Sequence, residues 1–295
     1  MTAPGAGGDA LAARTLVRWR VDAEAGGPPG RRSPDPARWA PIGFPPPWPD
    51  RPWIYGVMVA SANGVVAWRR AGADDDPVRG ILGDPDRPAR HADRLLVRFL
   101  RCFGDVAVGA RTIREQPGLL QTPQEPGEPA RPELYRFRLE QGLSRQPRHV
   151  VYSLFGRLPV DHPVFTTPGI EAIVVTTEVG AAELARRGAR LDPRRLVVEP
   201  LLEPGGLGRA HERLSTEHAV RYLDCEGGVT VLRALREAGV LDEVFLTRTD
   251  VVVDTGAHEG ILTMLDLSGA RLVAEGGVDA DPGWVFQRWR LNERG

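Results

Sequence analysis

Residues 219–239 constrain this chain more than any other stretch: Ala-Val-Arg-Tyr-Leu-Asp-Cys-Glu-Gly-Gly-Val-Thr-Val-Leu-Arg-Ala-Leu-Arg-Glu-Ala-Gly. They read as a strand over residues 220–223, a turn at Glu226-Gly227-Gly228 and a helix. Val229, Leu232 and Leu235, with Val231 and Ala238 beside them, repeat at helical spacing, and Gly239 is a natural stop. A diglycine between a strand and a helix lets the backbone come close to an anion. The first free N–H groups of the helix then point at that anion. A strand–turn–helix unit of this kind belongs to an α/β sheet and suggests a phosphorylated ligand.

Two other diglycines serve as controls. Gly205-Gly206 sits in a Pro/Gly loop with no evident helix after it, and Glu275-Gly276-Gly277 reads as a hairpin connection. A second candidate anion site begins at Val106 and runs through Gly109 to Thr112, again a strand, a glycine and a helix start, with Arg111 and Arg114 adding positive charge. Two such sites in one sheet suit a ligand with two anionic parts, such as a dinucleotide. The usual Gly-x-Gly-x-x-Gly fingerprint is absent, so a standard dinucleotide-binding domain is not expected. Ser61 and Asn63, leaving the strand at residues 53–60, are a polar pair of the kind that lines a cleft. Asn63-Gly64 is also a strong hairpin signal toward a strand at residues 65–68.

The rest of the chain fits this frame. Residues 1–50 are rich in Gly, Pro and Arg and read as an extension with one short strand near residues 16–21; residues 51–295 read as one domain. Residues 71–86 read as loop. Residues 92–103 carry an amphipathic helix, and residues 116–146 a proline-rich excursion. Short apolar strands are expected at 105–109, 149–153, 172–177, 196–199 and 243–247, a helix at 178–188, and an antiparallel pair at 272–274 and 284–291. Strands alternate with helices and then dominate, which argues for a mostly parallel central sheet flanked by helices with antiparallel edge strands.

Composition excludes several chemistries. The 295 residues include no lysine, so all 38 basic side chains are arginine, and there is no Schiff-base or P-loop lysine. A net charge of −1 argues against nucleic acid as the main partner. Two cysteines and six scattered histidines give no zinc or other metal spacing. No signal peptide and no membrane-length apolar run is evident, so a cytoplasmic, reduced setting without membrane partners is the expectation.

Three segments together resemble the reductase domain of riboflavin biosynthesis, which occurs as the C-terminal half of a bifunctional deaminase–reductase and as a stand-alone protein. Residues 52–64 resemble its opening strand ending in Ser-x-Asp-Gly. Residues 101–120 resemble its Arg, Asp, strand, Val-Gly-x-x-Thr and downstream Leu. Residues 224–243 resemble its Glu-Gly-Gly, helix and Gly-x-x-Asp-Glu. The resemblance covers roughly residues 51–250 and implies a dihydrofolate-reductase-like α/β fold, a homodimer and reduction of a phosphoribosylamino-pyrimidine by NADPH. By position it implies that Ala60, Ser61, Thr112, Ser153, Gly227, Gly228, Val229 and Thr230 contact NADPH. Glu226 would be catalytic, with Arg101, Leu120 and Asn63 on the small-molecule substrate. The chain departs from the family at Val57, where a lysine is usual, at Asn63 for aspartate and at Gln116 for an acid. Cofactor-side positions are therefore kept better than substrate-side ones. The alternatives are a dihydrofolate or pterin reductase on the same fold and a non-catalytic NADPH-binding protein.

Overall fold

A computed structural model describes residues 18–21, 42–72, 75–124, 131–188 and 192–292. In chain order it runs β1 (Arg18–Val21), β2 (Trp53–Ala60), β3 (Val65–Ala67), α1 (Pro77–Leu82), α2 (Pro88–Leu100), β4 (Asp105–Gly109), α3 (Ala110–Glu115) and α4 (Pro132–Glu140). Then follow β5 (His149–Ser153), α5 (Pro163–Thr166), β6 (Ala172–Thr176), α6 (Glu178–Arg186), β7 (Leu196–Val198), α7 (Gly206–Thr216), β8 (Tyr222–Cys225) and α8 (Val229–Glu237). The chain closes with β9 (Glu243–Arg248), β10 (Leu262–Thr263), β11 (Arg271–Val278) and β12 (Asp281–Arg290). The mixed α/β class expected from the sequence is the one observed.

The chain forms two compact units. Of the described residues, the first takes those up to 44, those in 58–97 and those in 244–292; the second takes those in 45–57 and 98–243. The second unit holds the parallel sheet, in strand order β2-β8-β4-β5-β6-β7. Its strands are buried throughout or nearly so, which is why they read as short apolar runs rather than alternating ones. Tyr55, Asp224, Val106 and His149 lie in register across β2, β8, β4 and β5 and so share one face. The end of α2 covers that face, and the Tyr55 hydroxyl donates to the Leu100 carbonyl at 2.9 Å. Further along, Val108, Val151 and Val174 pack with Ile113, Leu158, Val164 and Leu184. On the opposite face α8 lies so close that a Cβ on Gly56 would meet Leu232 Cδ2 at 2.6 Å.

The first unit holds antiparallel pairs. β1 pairs with β11 and β11 with β12, and β3 pairs with β10. Val65, Trp68, Ile81 and Val253 form its small apolar cluster.

Several local expectations are corrected. The Asn63-Gly64 turn does not fold β2 back onto β3; β3 pairs with β10 instead. The stretch at 71–86 contains α1, started by Asp76, whose side chain accepts from the Val78 and Arg79 amides, with Pro77 at the first helical position. The excursion at 116–146 contains α4, likewise opened by a proline. Gly205-Gly206 does precede a helix: Gly205 is the left-handed N-cap of α7, whose buried Ala210, His211 and Leu214 keep helical spacing. Glu275-Gly276-Gly277 lies inside β11, where the register shifts between Gly276 and Val278, and is not the connection. The strand before Glu226 sits two residues later than expected, at Tyr222–Cys225. Expectations for residues 16–17 lie outside the described residues. Among the described residues no helix is long and apolar enough to cross a membrane.

Candidate active site

In the second unit all strands run the same way, so β4, β5 and β8 end on one edge of the sheet, the edge where α/β folds place ligands. β8 is extended by one residue, because the Glu226 N–H donates to the Ala107 carbonyl at 2.9 Å. Two residues past Asp224, Glu226 lies on the same face as that aspartate. There Arg101, one residue past α2, grips it with both prongs. Arg101 Nε donates to Glu226 Oε1 at 2.6 Å and Nη2 to Oε2 at 2.8 Å. Arg101 Nη1 donates to the Thr122 carbonyl at 3.0 Å. The arginine side chain is 4% exposed and the glutamate 14%, so Glu226 is the member of the pair that reaches solvent.

The chain turns after Glu226 through two glycines that have different physical reasons. A Cβ on Gly227 would meet Val231 at 3.0 Å, and a Cβ on Gly109, at the end of β4, would meet the Gly227 carbonyl oxygen at 3.0 Å. A side chain at Gly109 would push the two strand ends apart, and one at Gly227 would push against the first turn of α8. Gly228 has open space around it but a φ of 75°, which only glycine adopts without strain. It is the N-cap of α8 and has no side chain to cap the helix. Gly109 caps α3 in the same bare way. Two helix starts thus stand at the ends of neighbouring strands, their first N–H groups without a capping side chain. Gly228 and Thr230 are exposed, whereas Gly227 and Val229 are buried.

The remaining residues singled out in the sequence are distributed around this edge or apart from it. Ser153, buried, ends β5; its carbonyl accepts from Thr176 Oγ1 at 2.6 Å. Thr112 is half-buried in the first turn of α3. Leu120 packs against the apolar cluster around Val108 and Val151. Ala60, Ser61 and Asn63 belong to the first unit. The Ser61 hydroxyl donates to Asn63 Oδ1 at 2.8 Å and accepts from the Val65 N–H at 2.9 Å. Asn63 Nδ2 donates to the Val253 carbonyl at 2.9 Å, and Oδ1 accepts from the Val253 N–H at 3.1 Å. Both side chains hold the turn. Among the described residues no cluster of His, Cys, Asp and Glu is arranged to hold a metal.

Three residues on the Arg101 face went unassigned from sequence. Asp224 is fully buried, and among the described residues neither carboxyl oxygen has a hydrogen-bond partner. Burial, reinforced by the Glu226 charge and opposed by Arg101, raises its pKa well above the usual carboxylate range. His149, also fully buried, accepts the Gln121 N–H on Nε2 at 3.2 Å. Burial lowers its pKa to about 3, and Arg101 adds to that, so it is neutral. Cys102 is buried nearby, its thiol pushed up to about 12 by burial. A sequence signal for Asp224 existed: it is the one charged residue in Tyr-Leu-Asp-Cys, at the spacing that shares a face with Glu226.

No family model matches the chain, and no curated protein matches it in sequence. Solved structures do resemble it. A pyrimidine reductase-like protein from Corynebacterium diphtheriae aligns over 83% of this chain and 94% of its own, with a TM-score of 0.59 and 19% identity. RibD of Acinetobacter baumannii aligns over 83% of this chain and 59% of its own, with a TM-score of 0.55 and 16% identity. The deaminase/5-amino-6-(5-phosphoribosylamino)uracil reductase of Thermotoga maritima aligns over 82% and 57%, with a TM-score of 0.52 and 18% identity. The chain therefore spans just over half the length of the two bifunctional proteins. At these identities the likeness establishes the fold: this chain has the architecture of the pyrimidine reductase-like proteins, as the resemblance of its Glu-Gly-Gly segment implied.

Proposed function

We infer that this protein is an NADPH-dependent reductase of a small heterocyclic substrate, of the pyrimidine reductase type. The observation that carries this reading is the exposed, uncapped Gly228 turn standing beside the Arg101–Glu226 pair. A bare helix start suits a phosphate, and a bare glycine lets a pyrophosphate lie against the backbone. The neighbouring start at Gly109 suits the second anionic part of a dinucleotide. The residues present fit the group: Gly227, Gly228, Val229 and Thr230 would hold it through backbone N–H groups, with Thr112 in the first turn of α3 and Ser153 at the end of β5 beside them. NADPH, when bound, supplies a hydride to an electrophilic carbon of the substrate.

The protein's own residues do the rest. Arg101 fixes the rotamer of Glu226 through two charge-assisted hydrogen bonds and a third anchor at Thr122. Glu226 is thereby presented at one place on the sheet edge, where it orients a ring N–H or hydroxyl and passes a proton. Val57 stands where the resemblance to the riboflavin reductases implies a lysine, so the charged groups offered to the substrate at this edge would be Arg101 and Glu226.

The test is NADPH oxidation followed with phosphoribosylamino-pyrimidine, pterin and imine substrates. Consumption with one of them, cut by about a hundredfold or more in Glu226→Gln while NADPH affinity stays within error, is the expected result. NADPH bound but never consumed would favour a non-catalytic binding protein.

A further inference from the structure

Helix α4, inside the proline-rich stretch between β4 and β5, docks on the end of α2 through two adjacent side chains. Phe137 stacks on Phe99 with ring centroids 5.9 Å apart and meets Phe103 edge-on at 5.2 Å. Arg138 is fully buried and turns to the backbone. Its Nη1 donates to the Arg101 carbonyl at 2.7 Å and to the Gly104 carbonyl at 2.7 Å, and its Nε donates to the Ser144 carbonyl at 3.0 Å. A helix leaves its last carbonyls without intrahelical donors, and the helix dipole favours a cation at that end. At the end of α2 the Leu100 carbonyl takes the Tyr55 hydroxyl and the Arg101 carbonyl takes Arg138. The turn beyond lies so close to β8 that a Cβ on Gly104 would stand 2.2 Å from the Tyr222 carbonyl oxygen. Arg138 ties that turn to α4.

The same stretch of chain holds the other end of Arg101. The Thr122 carbonyl accepts from Arg101 Nη1 at 3.0 Å. Thr122 is buried and is itself fixed: its N–H donates to the Leu120 carbonyl at 3.0 Å and its hydroxyl to the Gln124 carbonyl at 2.6 Å. The neighbouring Gln121 N–H donates to His149 Nε2 on β5 at 3.2 Å. Arg101 is thus held at its main chain by Arg138 and at its guanidinium by Thr122, and its Nε and Nη2 meet Glu226 at 2.6 and 2.8 Å. We propose that Arg138 is a positioning residue for the reaction: with Thr122 it fixes Arg101, and through Arg101 it sets where Glu226 stands. The effect on turnover rests on the reductase reading above, whereas the placement of Arg101 is measurable without it. Taking a guanidinium out of water is costly unless built partners meet it, so a helix that only decorated the surface would gain nothing from a buried arginine. A site that must hold one carboxylate in place does gain, since a reacting group misplaced by about 1 Å loses about a hundredfold in rate.

The experiment compares wild type with Arg138→Met, which keeps the length without the donors, Arg138→Lys, which keeps the charge, and Phe137→Leu, which loosens the same helix without touching the Arg101 carbonyl. NMR follows the Arg101 Nε–H, identified by its loss in Arg101→Lys. The Arg87 Nε–H, which donates to Asp281 at 3.0 Å, is the internal reference. Exchange of the Arg101 Nε–H with solvent should quicken about tenfold or more in Arg138→Met and less in Arg138→Lys, and stay within about twofold in Phe137→Leu, with Arg87 unchanged. Turnover is read as NADPH oxidation with whichever of the phosphoribosylamino-pyrimidine, pterin and imine wild type reduces. In Arg138→Met kcat should fall about tenfold or more with NADPH affinity kept. On a Glu226→Gln background Arg138→Met should cost less than about twofold further, because both changes act through one group. Unchanged protection of the Arg101 Nε–H in the Arg138 variants overturns the proposal. So does an equal kcat loss on both backgrounds, which would mean that Arg138 serves the fold alone. Should Arg138→Met fail to fold, Arg138→Lys carries the same readouts. A wild type that oxidises NADPH with none of these substrates removes the reductase reading, and the exchange rates still decide whether Arg138 sets Arg101.

Discussion

His211 and Tyr152 show how two buried polar residues satisfy one another. His211 Nδ1 donates to the Leu207 carbonyl at 2.6 Å, and Nε2 accepts the Tyr152 hydroxyl at 2.8 Å. Both side chains are satisfied, and burial lowers the histidine pKa to about 4 from its ordinary 6.5. The unfolded chain therefore takes up a proton below 6.5 that the folded chain refuses. The stability of the neutral pair is complete above 6.5 and is lost as pH falls toward 4. We expect the stability margin of wild type over the His211→Leu/Tyr152→Phe double variant to shrink by about 3 kcal/mol across that window, as read by urea denaturation at stepped pH. A margin constant with pH would mean that His211 takes up its proton in the fold as readily as in the unfolded chain. Set beside this pair, Asp224 stands out because no group among the described residues hydrogen-bonds its carboxyl. Legibility at this scale followed sequence distance. Glu226 announced itself in a local tripeptide. Its partner Arg101 lies 125 residues earlier and was marked only through a family resemblance. Asp224 was passed over because its meaning lies in what surrounds it across three strands.

At the scale of elements, the Glu-Gly-Gly turn was readable because strand, bend and helix follow one another locally. The two helices that were read as loop, α1 and α4, begin with proline after Asp76 and Arg131, so their start signals sit inside loop-like composition. Helix α7 was hidden by its left-handed glycine cap. The Asn63-Gly64 turn was read with the right residues and the wrong partner. Its geometry is set by the Val253 backbone, 190 residues away, which exchanges two hydrogen bonds with the Asn63 side chain. A carboxylate cannot donate to the Val253 carbonyl. Asn63→Asp, the residue that the family resemblance implies here, should therefore destabilise this protein by about 1–3 kcal/mol. Equilibrium urea unfolding measures it; a variant as stable as wild type would show that the amide donor is dispensable.

At the scale of the molecule, the sequence conveyed the α/β class and the parallel order of short apolar strands, since burial on both faces leaves a compositional trace. It conveyed less of the antiparallel part, where β11 and β12 are longer than their apolar cores and buried only at alternate positions over much of their length. The likeness to pyrimidine reductase-like structures is one of architecture at 16–19% identity. The activity therefore stands or falls on the site built at the ends of β4, β5 and β8. The proposal puts the cofactor at the two helix starts capped by Gly109 and Gly228, which have no side-chain cap. The most direct measurement is a titration of the purified protein with NADPH and with NADH, following quenching of its seven tryptophans. Saturable binding that favours NADPH, weakened by Gly228→Val in a protein that still folds, is the predicted result. No saturable binding of either nucleotide would contradict the account and make the Glu-Gly-Gly turn a purely structural bend.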